Sequence, residues 1–142
     1  MKRFAIFWAL GLAALVVLGS AAPRLLADEA AAARVDFATQ VQPLLTRYCA
    51  GCHNPADRDG GLVLNSYAAL LAGGEHGAVI APGRGRESRM IQLLSGAAEP
   101  AMPPEDNPRP TDAEIAMLVA WIDGGAAGPD GAAPDPTALV VP

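Results

Sequence analysis

The chain has two cysteines, Cys49 and Cys52, and both lie in one run, Tyr48-Cys49-Ala50-Gly51-Cys52-His53. No other short stretch limits the fold so tightly. Two thiols three positions apart at a helix end occupy neighbouring sites, and the next residue carries an imidazole. Such a trio can hold one edge of a flat porphyrin through two thioether bonds and ligate its iron from below, the attachment pattern of c-type haem. The other imidazole nitrogen is then expected to donate to a nearby backbone carbonyl, which fixes tautomer and basicity. Three other uses compete. A Cys49–Cys52 disulfide suits an exported chain. A thioredoxin-like site needs a βαβ pattern, and none is visible. Zinc needs four ligands; Cys49, Cys52, His53 and His76 could supply them, but the adjacent Cys52 and His53 strain a tetrahedron.

The rest of the chain is poor in large side chains. Aromatic residues are 5% of it, against 15 glycines and 13 prolines, so side chains alone give a thin core. A buried cofactor, one covalent haem c, would supply the missing bulk.

The N-terminus has the layout of an export signal: Lys2-Arg3, then an uncharged stretch from Phe4 to Ala22 with small residues at its end. Residues 1–27 are read as a signal peptide or a retained membrane anchor, because the apolar run at 4–22 is close to the roughly 20 residues that span a bilayer. Either route places the cysteines in a periplasmic or other extracytoplasmic, oxidising compartment. The formal charge is −5; losing Lys2, Arg3 and Arg24 with the leader makes it −8 and leaves no lysine. Nucleic acid and a polybasic membrane contact are therefore not expected. The expected partners are redox proteins, a periplasmic dehydrogenase, oxidase or reductase, with a basic or neutral face.

Residues 28–35 read as a linker, 36–127 as the domain and 128–142 as a flexible tail. Asp36 is a good N-cap. Phe37, Val41, Leu44, Leu45 and Tyr48 then recur at helical spacing, with Pro43 expected to kink or split the helix. Ser66 caps a short helix at 67–72 that ends at Gly73-Gly74. Residues 87–95 are predicted helical, with Met90, Ile91 and Leu94 on one face. Residues 99–110 hold five prolines and must be a stiff loop. Thr111-Asp112-Ala113-Glu114 is a capping box for a helix at 112–123, striped by Ile115, Leu118, Val119 and Ile122. The fold class is all-α, with long Gly/Pro loops that make sense if they wrap one covalent haem.

An electron carrier needs both axial positions of the iron filled. Met90 and Met117 sit on predicted helices, where methionine packs. Met102 sits in Ala101-Met102-Pro103-Pro104, a loop whose prolines already restrict it, and is the expected distal ligand. His76, in Gly74-Glu75-His76-Gly77, is the alternative. Trp121 could cover the cofactor or simply pack. One of Arg84, Arg86 and Arg89 could pair with a propionate, although a solvated cluster is the plainer reading.

The ordered series Phe37…Pro43-Leu44-Leu45…Cys49-x-x-Cys52-His53, Gly60-Gly61-Leu62, Ile80-Ala81-Pro82-Gly83, Met102-Pro103-Pro104 and Trp121-Ile122-Asp123-Gly124 resembles the planctomycete-type cytochrome c domain over about residues 36–127. The resemblance implies a class I-like cytochrome c fold, His53/Met102 ligation and a one-electron carrier rather than an enzyme. A haem-based ligand sensor or a peroxidase-like enzyme is the alternative; it requires a labile distal position.

Overall fold

The computed structural model describes residues 34–135. The expected leader or anchor, the first part of the linker and the end of the tail lie outside the described residues. Asp36 opens the first helical segment. Its carboxylate accepts from the Thr39 hydroxyl at 2.6 Å and the Thr39 N–H at 2.8 Å, which holds its pKa below the ordinary value. A wide π-helical turn follows, Phe37–Val41, and then helix α1, Gln42–Tyr48. Pro43 explains the split. It has no N–H to give, and its ring would strike the carbonyl four residues back. The chain widens before it, with Val41 N–H reaching Asp36 O at 3.3 Å, and α1 then starts with proline in its first turn.

Helix α2, Tyr67–Ala72, is capped by the Ser66 hydroxyl, which accepts from Ala69 N–H at 3.2 Å. It ends at Gly73, whose φ of +70° suits glycine. Helix α3 spans Arg89–Ser95, two residues shorter at its start than the sequence pattern predicts. Ser88 is the reason. It is buried, and its hydroxyl accepts from Ala81 N–H at 2.8 Å and donates to Arg84 O at 3.0 Å. With its side chain turned to that loop and its backbone extended, Ser88 serves as the N-cap, its carbonyl accepting from Gln92 N–H at 3.1 Å, and the helical turns begin at Arg89. Helix α4, Asp112–Asp123, has both halves of its capping box. The 99–110 segment contains no helix.

Among the described residues there is no named strand, only an isolated bridge between Gly74 and Gly77. The π-turn and α3 both pack on α4. Phe37 is central: its ring meets Tyr67 edge-on at 5.0 Å and Trp121 at 5.6 Å. Trp121 is buried and donates its indole N–H to Ala127 O at 3.0 Å, so its role is packing and closure of the C-terminal turn. Tyr67 likewise donates to Ala126 O at 2.7 Å, and Gly128 lies against its ring. Leu118 and Ile122 of the expected stripe are buried, whereas Ile115 and Val119 are only partly covered.

Candidate functional site

Helix α1 ends where the two thiols begin. Cys49 N–H and Ala50 N–H both reach back to Leu45 O, at 3.0 and 2.9 Å, and the chain then tightens. Cys52 N–H and His53 N–H both donate to Cys49 O, at 3.2 and 3.0 Å. This turn brings both cysteines and His53 to the wall of one cavity of about 420 Å³. Its size falls in the range of roughly 300–1,000 Å³ typical of cofactor pockets. Both cysteines are free thiols, Cys52 exposed and Cys49 partly covered. Burial pushes the Cys49 thiol up to about 11. Among the described residues no three His, Cys, Asp or Glu side chains converge on a metal-sized site, which leaves the zinc alternative without a ligand set.

Asn54 organises the loop after His53. Its side-chain oxygen accepts from Ala56 N–H at 2.8 Å and Asp57 N–H at 3.0 Å; its amide donates to Gly51 O at 2.9 Å and the Asp57 carboxylate at 2.7 Å. The loop then turns through Arg58, at φ +49°, and brings Asp59 back over the histidine. His53 Nδ1 lies 2.9 Å from Asp59 O. A carbonyl only accepts, so Nδ1 is the donor here, which leaves Nε2 as the nitrogen that a neutral ring would offer to a metal. This is the backbone acceptor the sequence called for without identifying it. From the other side, Leu64 N–H donates to His53 O at 2.8 Å.

Most of the remaining wall is apolar. Leu44 and Leu45 of α1, Leu64, Val79, Met90 and Leu94 of α3, and Leu118 of α4 are buried and line the cavity. Met102 and His76 both border it. They are held differently. The His76 turn is fastened beside the His53 loop, with Glu75 N–H donating to Gly60 O at 2.8 Å. The Met102 segment is fastened to α3, with Met102 N–H donating to Leu93 O at 3.0 Å. Met117 lies away from the cavity, its sulfur 3.8 Å from the Gln40 amide.

Of the three clustered arginines, only Arg89 borders the cavity. Arg84 makes an exposed 3.6 Å contact with Glu87 that contributes little. Arg47, which the sequence did not single out, also lines the cavity and lies 4.9 Å over the Tyr48 ring. Tyr48 in turn donates to the Glu114 carboxylate, with both oxygens at 3.2 Å, tying the residue before Cys49 to the start of α4. The Tyr48–Glu114 pairing follows no local pattern, because its partners lie 66 residues apart in the chain.

The donor set fits a c-type haem: two thiols, an imidazole with a free Nε2 and a thioether, set around an apolar cavity. Residues 49–106 match the family model described as Planctomycete cytochrome C. No curated protein and no solved structure matches the chain.

Proposed function

From the assignment of residues 49–106 to the planctomycete cytochrome c family, we propose that the chain is an exported, single-haem, one-electron carrier working between redox proteins outside the cytoplasm. The observation that carries this reading is the convergence of Cys49, Cys52, His53 and Met102 on one apolar cavity. When bound, haem c supplies a reversible one-electron couple at iron. The residues divide the remaining work. Cys49 and Cys52 would tether the ring. His53 would ligate the iron through Nε2, its orientation set by the Asp59 carbonyl. Leu44, Leu64, Met90 and Leu118 exclude water and keep the local dielectric low. Met102 would supply the second iron ligand, because its loop is anchored on α3, apart from the His53 loop that also holds the His76 turn. A haem held by both His53 and Met102 would exchange electrons with partner proteins and would offer a substrate no site at the metal.

The test is Met102→Ala in protein matured with covalent haem. The ferric wild type is expected to show the near-red methionine–iron band. The variant is expected to lose it, to bind CO rapidly when reduced, and to drop in potential by on the order of 0.1–0.3 V, within the roughly 0.8 V span that axial ligands command. An unchanged spectrum and potential would exclude Met102. Rapid CO binding by the wild type itself would instead favour the second reading, a sensor or haem enzyme with a labile distal position, which rests on His76 bordering the same cavity.

A further inference from the structure

The loop that carries Met102 cannot hold itself in place with its own backbone. Pro100, Pro103, Pro104, Pro108 and Pro110 have no N–H to donate. The backbone donors that do find partners there are few: Ala101 N–H to the Glu99 carboxylate at 3.1 Å, Asn107 N–H to Pro104 O at 3.2 Å and Met102 N–H to Leu93 O at 3.0 Å. Only the last leaves the loop. Two side chains add donors: the Asn107 amide makes a long 3.5 Å bond to Pro104 O within the loop, and Arg109 ties the loop to α3. Arg109 Nη1 donates to Pro103 O at 2.7 Å, and Nη2 donates to Leu94 O at 3.1 Å. Pro103 directly follows Met102 and is buried; Leu94 lies in the last turn of α3 and lines the cavity.

We infer that Arg109 is a positioning residue: it clamps the carbonyl after Met102 to the C-terminal end of α3 and so holds the thioether against the iron. A planar guanidinium suits this task, because its two ends can bond two acceptors at fixed spacing. Its charge also complements the carbonyl end of a helix. A lysine supplies a single point of contact and reproduces only part of the clamp. Arg109 lies beyond the matched residues 49–106 and does not border the cavity, so it acts through Met102. The inference rests on Met102 being the distal ligand.

The experiment uses matured ferric protein in four forms: wild type, Arg109→Ala, Arg109→Lys and Arg84→Ala, the last a control for the loss of an exposed arginine. Imidazole competes with the methionine for iron and is followed by loss of the near-red band, while far-UV circular dichroism reports that the fold is intact. The expected result is an apparent imidazole affinity about tenfold tighter in Arg109→Ala, as two charge-assisted bonds are lost. Arg109→Lys should fall between this variant and wild type, and Arg84→Ala should match wild type. A general loss of stability would not single out ligand exchange under conditions where the fold persists. If the wild type shows the band and Arg109→Ala and Arg109→Lys both bind imidazole within twofold of it, Arg109 does not position Met102. If the wild type lacks the band, the ligand assignment itself fails and the clamp has nothing to hold.

Discussion

Replacing Gly85 by alanine tests how the loop before α3 is seated on α4. A Cβ built at Gly85 would lie 2.7 Å from Val119 O, 2.9 Å from Asp123 Oδ1 and 3.0 Å from Val119 Cγ1. The first is helix backbone and cannot turn aside, so the loop must lift. Lifting stretches the bond from Gly85 N–H to Asp123 Oδ1, now 2.6 Å, and strains the nearby one from Gly83 N–H to Ile122 O, now 2.7 Å. Overpacking costs about 1–3 kcal/mol. Weakening a charge-assisted bond adds about 1 kcal/mol, a fraction of its full worth. The reduced freedom of the unfolded chain returns about 0.4–1 kcal/mol. The net is a loss of about 1–4 kcal/mol from a total on the order of 5–15 kcal/mol. For a domain of this size that lowers the melting temperature by roughly 5–20 °C. Thermal unfolding of matured protein by circular dichroism is the assay. A double-mutant cycle with Asp123→Ala should show coupling of about 1 kcal/mol, because removing the carboxylate removes one clash and the bond together. A Gly85→Ala protein that melts within about 2 °C of wild type, or strict additivity in the cycle, would refute the packing argument.

Two further perturbations address the core and the start of α4. Phe37→Ala empties the contact with Tyr67 and Trp121 and should cost about 3–5 kcal/mol in denaturant titration, with the haem still covalently attached; a loss under about 1 kcal/mol would mean that the ring is not the centre of the core. Glu114 has its pKa held below the ordinary 4.5, first by the Thr111 backbone N–H and further by the Thr111 hydroxyl, Tyr48 and Arg47. A depressed carboxylate stabilises the fold above its unfolded pKa and loses that contribution as pH falls through the folded value. Glu114→Gln keeps a side chain that can close the capping box but removes the charge. The stability gap between wild type and variant should therefore be level above about pH 5.5 and shrink below about 4.5; a gap that widens on acidification would reverse the sign of the argument.

Local signals were legible where a residue acts on its immediate neighbours. Asp36, Ser66 and Thr111 cap the segments they precede, Pro43 divides the first helix, and the proline series keeps 99–110 free of helix. The start of α3 was not legible, because Ser88 is claimed by Ala81 and Arg84 once the loop has folded. Trp121 could have faced a cofactor or the core, and only the position of Phe37 and the Ala127 carbonyl puts it in the core.

The amino-acid sequence by itself determined that Cys49, Cys52 and His53 lie within one turn of each other, the arrangement on which the proposed haem attachment rests. It also determined that Met102 rides on a stiff segment, since proline restricts the backbone wherever it occurs. Tertiary structure alone decided which groups serve that chemistry: the Asp59 carbonyl on His53, the Leu and Met side chains that wall the cavity, and the Arg109 guanidinium between Pro103 and Leu94. Those partners are brought together by burial of apolar surface, which has no direction along the chain, so no local pattern of residues records them.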